Sequence, residues 1–194
     1  MKKINQEETY TPNVDEWLTQ THIDPTGLSS FQRILLIADG TLTKILETYL
    51  NEVIQVVKIS EKILSITQDI VPLDICAGTE VMKRNILLQG GTSHRNWLYA
   101  ESTIVLDRIG EKFREQLINS HIPIGKLWLE HKTELFKEVI ASAREPANDL
   151  SDYFNIQRED KLIYRTYRVF SKHQPIMMIT EKFPESSFQG WSKT

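Results

Sequence analysis

The sequence predicts an α+β fold, in which a single six-stranded antiparallel sheet carries helices packed on one face. Three observations predict it. Segments of alternating apolar and polar residues follow one another in hairpin order, segments with helical spacing precede and separate them, and no repeat or linker divides the 194 residues. Strands joined by local turns pair with antiparallel neighbours, so we expect one sheet in a single domain.

The composition is that of an ordinary globular domain. Hydrophobic residues make up 40% of the chain and charged residues 25%. The net charge of -3 and the isoelectric point near 6.0 give no electrostatic basis for binding nucleic acid or an anionic membrane. The N-terminus has no apolar signal segment, and no run approaches the ~20 apolar residues of a membrane span. We therefore expect a protein of the cytoplasm or of a plastid stroma.

The cysteine and histidine content indicates neither a disulfide nor a metal site. Cys76 is the single cysteine, and we expect it to be a small buried side chain. The five histidines lack the spacing of metal ligands, and no glycine-rich phosphate loop or dinucleotide motif is present. The histidines are His22, His94, His121, His131 and His173.

The first part of the chain is predicted to be helical. Residues 1–27 form an N-terminal extension with a short helix over 14–19, and Ser29 or Ser30 then caps a helix that ends near Ala38. After an Asp-Gly break, a second amphipathic helix follows. The two helices form a hairpin that is either simple core or a flap over a pocket.

Six segments are predicted to be strands. They are 52–66, 80–89, 97–106, 132–143, and two strands within 164–184 on either side of a turn at 171–174. Two further helices are predicted at 108–120 and 147–154, and Pro123 and Gly125 indicate an irregular loop that can approach a ligand closely. The tail, 185–194, shows no clear element.

One strand places an arginine on an apolar face. Arg84 alternates with Met82, Ile86 and Leu88, so these side chains point the same way. On the next strand the corresponding positions, Ala100 and Ser102, are small and leave room for a ligand. The alternative is a solvated or salt-bridged arginine on an edge strand.

The last strand places a carboxylate on an apolar face. Glu181 alternates with Met177, Ile179 and Phe183. A buried carboxylate is costly unless it is paired or its pKa rises, and such a residue is a candidate for proton transfer. With Arg84, and with backbone amides near Leu42 and in the loop at 124–125, it suits a small anion that undergoes proton transfer without a cofactor.

A basic and aromatic segment, YRTYR, resembles a nucleic-acid strip only superficially. Strand alternation separates Arg165 and Tyr167 from Tyr164 and Arg168, and no wider basic patch accompanies them. We therefore expect no nucleic-acid partner. This pattern does not decide whether the side chains of Arg165, Tyr167 and Glu101 serve the sheet structure or contact a ligand.

Five segments, taken in their order, form a recognisable set: LSSFQRILLIADGTLTKILE, VMKRNILLQ, WLYAEST, the PIG at 123–125, and RTYRVFSKHQPIMMITEKFP. In this order they resemble the chorismate pyruvate-lyase family, in its cyanobacterial, plastid, actinobacterial and archaeal branch. The resemblance covers about residues 28–184, which we predict to be the chorismate lyase-like domain.

The resemblance implies both an activity and a site. Members convert chorismate to 4-hydroxybenzoate and pyruvate without a metal or organic cofactor, in a buried site covered by helical flaps. The family arginine falls on Arg84, as holder of a substrate carboxylate, and the family glutamate on Glu181, as general acid or base. The backbone contact of the PIG segment falls on Ile124, beside Gly125. The flap contact falls on or beside Leu42, where proteobacterial enzymes have a methionine and a different spacing.

A binding module is the alternative to an enzyme. The ligand-sensing domains of winged-helix repressors resemble this fold and bind small effectors, although too few residues precede the sheet here for a DNA-binding domain. The expected partners are chorismate and 4-hydroxybenzoate, with no nucleic acid and no membrane. The expected assembly is a monomer or a small homo-oligomer.

Overall fold

A computed structural model describes residues 23–24, 26–119, 124–130 and 134–189. The helices are Ser30–Ile37 (α1), Leu42–Leu50 (α2), Glu111–Asn119 (α3), Ile124–Glu130 (α4) and Ser151–Phe154 (α5). The strands are Ile54–Ser65 (β1), Glu80–Gly90 (β2), Asn96–Val105 (β3), Phe136–Pro146 (β4), Lys161–Ser171 (β5) and Gln174–Pro184 (β6). Short 3-10 turns are Val71–Leu73, Leu106–Arg108, Asn148–Leu150 and Glu185–Phe188.

The predicted six-stranded antiparallel sheet is confirmed. Its spatial order is β1-β2-β3-β6-β5-β4, with every neighbouring pair antiparallel. The sheet therefore consists of two three-stranded meanders that meet where β3 pairs with β6. The chain between β3 and β4 crosses from the middle of the sheet to its far edge, and it carries α3 and α4.

One face of the sheet, called here the inner face, carries the main core. Helices α1 to α4 pack on this face over a continuous set of buried apolar side chains. These include Leu35, Leu46, Leu98, Leu117, Leu127, Met177 and Phe183. The short α5 packs on the opposite face, where Phe154 joins a smaller cluster with Leu87, Tyr99 and Leu162.

The predicted helical hairpin is confirmed, and its start is fixed by a capping box. The Ser29 hydroxyl accepts from the Gln32 amide at 3.1 Å, and the Gln32 side chain accepts from the Ser29 amide at 2.7 Å. These reciprocal bonds satisfy amides that a helix start leaves without partners. The helix over 14–19 that the sequence predicts lies outside the described residues.

Three sequence predictions about local structure are wrong. Ile124 and Gly125 are not in an irregular loop, because they form the first turn of α4. The segment after Pro184 does contain an element, since Glu185–Phe188 is a 3-10 turn that buries Phe188 completely. Cys76 is exposed. Cys76 follows Ile75, which forms a β-bridge with Ile70 and is buried. The Cys76 side chain therefore points outward.

The fourth strand begins later than predicted, at Phe136, and ends at Pro146. Its apolar alternation is weak, so pairing with β5 sets its limits. Proline is tolerated at the end of an edge strand, since no neighbour there requires its missing N–H. Within the described residues, no helix has the length and apolar character needed to cross a membrane.

Candidate active site

Two adjacent rows of paired residues cross the inner face of the sheet and form the floor of a pocket. From β1 to β4 the first row is Glu61, Arg84, Ser102, Ile179, Tyr167 and Val139. The second row is Lys58, Ile86, Ala100, Glu181, Arg165 and Ser142. Arg84 and Glu181 therefore lie two strands and one row apart, or about 12 Å at the backbone. The small side chains of Ala100 and Ser102 lie between them.

Arg84 is a buried cation whose donors are not all satisfied. Only 2% of the residue is exposed, and the Glu61 carboxylate lies 3.3 Å from its Nε. That contact is an ion pair without hydrogen-bond geometry, and Nε and Nη2 have no hydrogen-bond partner among the described residues. Burial lowers the pKa of Arg84, and Glu61 opposes this shift. Buried guanidinium donors are normally bonded, so this one is suited to receive an anion.

Glu181 is buried, and its charge is met by a neighbour on β5. The carboxylate accepts hydrogen bonds from Arg165 Nε at 2.7 Å and from the Tyr167 hydroxyl at 3.1 Å. Arg165 is itself 1% exposed, and it also donates to the Ala38 carbonyl at 2.9 Å. Burial alone would lower the pKa of Arg165, but the Glu181 charge and hydrogen bond, together with Tyr167 and Asp39, raise this pKa overall. A buried carboxylate is expected either to be paired or to have a raised pKa, and the structure shows that Glu181 is paired.

Tyr167 remains a phenol that holds the Glu181 side chain. Burial, followed by the adjacent Glu181 charge, raises the pKa of Tyr167 well above its usual value. The hydroxyl therefore stays protonated and donates to one carboxylate oxygen, while Arg165 occupies the other. Glu181 is consequently fixed in orientation from two sides.

Helices α2 and α4 form the roof of the pocket. The amides of Lys44 and Ile45 bond to the Thr41 carbonyl, so those of Leu42 and Thr43 precede the hydrogen-bond ladder of α2. Both Leu42 and Thr43 line the pocket. A helix start with free amides favours negative charge, which suits the predicted backbone contact near Leu42.

The pocket encloses a cavity of about 60 Å³. All five residues predicted from the sequence, Leu42, Arg84, Ile124, Gly125 and Glu181, line it. The other lining residues are Thr41, Thr43, Ile86, Leu88, Leu98, Ala100, Ser102, Trp128, Lys137, Tyr167 and Ile179. The structure thus brings the predicted residues together, while their roles stay predictions.

Sequence patterns missed four polar residues of this site. The alternation leaves the roles of Arg165 and Tyr167 open, and no sequence pattern marks Lys137 or Trp128. A signal existed for the first two, since they alternate with Ile163 and Val169 on a strictly apolar face. No comparable signal marks Trp128, whose buried indole N–H has no hydrogen-bond partner among the described residues. Nor do the described residues contain a cluster of three or more His, Cys, Asp or Glu that could hold a metal ion.

Gly125 permits the close contact between the two roof helices. A Cβ at this position would lie 2.3 Å from Thr41 Cγ2, a distance that forces one of them to move. We expect Gly125→Ala to lower the free energy of unfolding by about 1–2 kcal/mol, since overpacking outweighs the better helix propensity of alanine. Urea denaturation of the variant measures this loss.

The matched control removes the obstructing methyl group. Thr41→Ser deletes Cγ2 and retains the hydroxyl, which lies 3.1 Å from the position that the methyl group of an alanine at residue 125 would occupy. Gly125→Ala combined with Thr41→Ser should therefore regain most of the lost stability. Equal stability of the wild type and Gly125→Ala would show that the roof helices do not depend on this contact.

Solved structures share the fold of this chain. The effector domain of PhnF from Mycobacterium smegmatis superposes with a TM-score of 0.56 at 10% sequence identity, covering 75% of this chain and 88% of that chain. At this identity the likeness shows the fold alone. The class defined by the fold is therefore an open six-stranded antiparallel sheet with helices that cover a pocket.

Sequence comparison identifies the family within that class. A sequence model of the chorismate pyruvate-lyase Rv2949c-like family matches residues 36–191. The chorismate pyruvate-lyase of Mycobacterium leprae is 32% identical over 161 residues, which are 81% of this chain and 75% of that protein. That of Mycobacterium tuberculosis is 31% identical over 168 residues, 81% of each. The chain belongs to the chorismate pyruvate-lyase Rv2949c-like family.

Proposed function

We propose that this protein is a lyase that converts chorismate to 4-hydroxybenzoate and pyruvate. The proposal depends on the convergence of Arg84 and Glu181 on one pocket whose floor carries small residues. Two buried donors of Arg84 lack a hydrogen-bond partner within the described ranges, although Glu61 lies at ion-pair distance. Family membership supports the same reaction. Chorismate has two carboxylates and a ring that becomes aromatic during the reaction.

The reaction is an elimination whose atoms balance without a co-reactant. The ring loses its C4 hydrogen as a proton, and the C–O bond to the enolpyruvyl group breaks with its electrons on the leaving oxygen. Aromatisation supplies much of the driving force, so the protein mainly positions the substrate and moves a proton. The released enolpyruvate takes up a proton to become pyruvate. No oxidant or reductant is needed, which fits the expectation of a cofactor-independent enzyme.

The residues divide this work by their chemistry. Arg84 binds a substrate carboxylate through charge-assisted hydrogen bonds, and its Nη2, which has no hydrogen-bond partner among the described residues, is available for one of them. Glu181 is the general acid or base, assisting departure of the enolpyruvyl oxygen or accepting the C4 proton. Arg165 and Tyr167 are positioning residues, because they hold both carboxylate oxygens of Glu181. The amides at Leu42 and Ile124 contribute backbone contacts to the ligand.

Incubation of the purified protein with chorismate tests the proposal. We expect 4-hydroxybenzoate and pyruvate to appear in equal amounts. Chromatography measures the first product, and a coupled assay measures the second. Arg84→Met, which keeps the apolar stem and deletes the guanidinium, should weaken binding of 4-hydroxybenzoate by roughly 10- to 100-fold. Arg108→Met is the control, since Arg108 binds backbone carbonyls outside this pocket.

The competing function is a non-catalytic small-molecule binder, which the fold also supports. Wild-type protein that binds an aromatic acid tightly and forms no product from chorismate would overturn the lyase in favour of a sensor. Product formation that survives unchanged in Arg84→Met would overturn the assignment of Arg84.

A further inference from the structure

Lys137 is an edge-strand lysine that points inward. It lies on β4 opposite Val169, which is completely buried on the inner face, and it lines the same pocket as Arg84 and Glu181. Lysines on edge strands usually project into water, where they prevent edge-to-edge association. Lys137 is instead half-buried beneath the roof helices, so prevention of edge-to-edge association does not explain its position.

In the part of the chain that the structure describes, the groups closest to the Lys137 ammonium are neutral. Its Nζ donates to the Gly40 carbonyl at 3.0 Å and stands 5.6 Å and 5.3 Å from the ring centroids of Trp128 and Tyr167. Among the described residues, no carboxylate lies within ion-pair distance of it. An ammonium has three donors, and the Gly40 carbonyl takes one of them. A partly desolvated cation without a counterion gains from an anionic ligand.

The nearest acid of the pocket does not supply that counterion. Glu181 is bonded to Arg165 and Tyr167, so its charge is already engaged. Burial, and to a smaller extent the Arg165 charge, lowers the pKa of Lys137, and the more distant carboxylates of Glu181 and Asp39 oppose this shift. The direction of the shift agrees with an ammonium that has lost water and has not gained an ion-pair partner.

Lys137 and Arg84 occupy opposite ends of the pocket. They lie on β4 and β2, four strands apart in the sheet, and both line the same space. Lys137 also lines an adjoining outer space of about 280 Å³, which shares Thr41, Gly125 and Trp128 with the inner pocket. It therefore stands where the inner pocket meets this outer space.

We propose that Lys137 binds the second carboxylate of a dianionic substrate, while Arg84 binds the first. This inference rests on the proposed function and adds to it the basis of selectivity between substrate and product. Chorismate carries two carboxylates and engages both cations, whereas 4-hydroxybenzoate carries one and leaves Lys137 without a counterion. The pocket then favours the dianion over the monoanion that it forms.

Two probes that differ by one carboxylate test Lys137 without requiring turnover. Calorimetric titration compares 3-(carboxymethoxy)benzoate with 3-methoxybenzoate. Lys137→Gln can still donate to the Gly40 carbonyl but has no charge, and Lys137→Met loses both. We expect both variants to bind the dicarboxylate roughly 10- to 100-fold more weakly while monocarboxylate binding changes less than about threefold, and Lys137→Arg to retain the dicarboxylate preference. Lys172→Gln, in the exposed β5–β6 turn, is the matched control.

Each result decides the proposal. Equal weakening of both probes assigns Lys137 to packing of the roof through Gly40, and it overturns the proposal. Unchanged dicarboxylate binding in Lys137→Gln, or a wild type without a dicarboxylate preference, overturns it as well. Failure of the lyase itself is distinguishable, because wild-type protein would then prefer the dicarboxylate and yet release no 4-hydroxybenzoate from chorismate.

Discussion

Glu181→Gln is expected to lower turnover of chorismate by roughly 10²- to 10⁴-fold, the usual contribution of a general acid or base. Glutamine keeps the shape of the side chain and an oxygen that can accept from Arg165, but it cannot transfer the proton. Binding of 4-hydroxybenzoate should change far less than turnover. Steady-state kinetics and equilibrium titration of the same protein give the two quantities.

A carboxylate on the other face of the sheet provides the control. Glu101 lies on β3 one residue from Ala100, and it contacts Lys182 at 3.4 Å on the side away from the pocket. Glu101→Gln should leave turnover and binding near the wild-type values. A parallel loss of turnover and binding in Glu181→Gln would contradict a proton-transfer role and would assign Glu181 to ligand binding.

Arg165→Met is expected to cause the largest loss of stability, about 3–5 kcal/mol, because it leaves a buried carboxylate without its counterion. The loss has a second source, since Arg165 also donates to the Ala38 carbonyl between α1 and α2. Replacement of both partners, as Arg165→Met with Glu181→Leu, should be much less destabilising than the single change. Urea denaturation of the two single variants and the double variant completes the cycle.

A second ion pair, also involving β5, shows how exposure to solvent reduces the contribution of an ion pair to stability. Arg168 pairs with Glu138 across β4 and β5, but both side chains are partly open to solvent. Arg168→Met should therefore cost at most about 1 kcal/mol. If Arg165→Met were no more destabilising than Arg168→Met, the Arg165–Glu181 pair could not be the structural centre of the site.

The facing direction of the site residues could be read from the sequence because a strand has a period of two. Met82 and Leu88 on one strand, and Met177 and Phe183 on another, identify the apolar face, and Arg84 and Glu181 fall in phase with them. The helical hairpin was likewise predictable, since Ser29 and Gln32 form a local capping signal. These features depend on residues close together in the chain.

The partner of Glu181 could not be predicted, because it depends on a register shift between β5 and β6. Near their turn Phe170 pairs with Pro175, and this register would place Tyr164 opposite Glu181. An irregularity between Val169 and Phe170 shifts the pairing by one residue and places Arg165 there instead. A bulge of this kind has no reliable signature in the sequence.

By itself the sequence determined the strands, their inward-facing arginine and glutamate, and the family resemblance, since local period and residue order are properties of the chain. Only the tertiary structure decided that Arg165 neutralises Glu181 and that Lys137 reaches the pocket from the far edge of the sheet. It also showed that Gly125 packs against Thr41 in the roof. These contacts join residues far apart in sequence, and their distances are set by strand register and helix packing rather than by local preference.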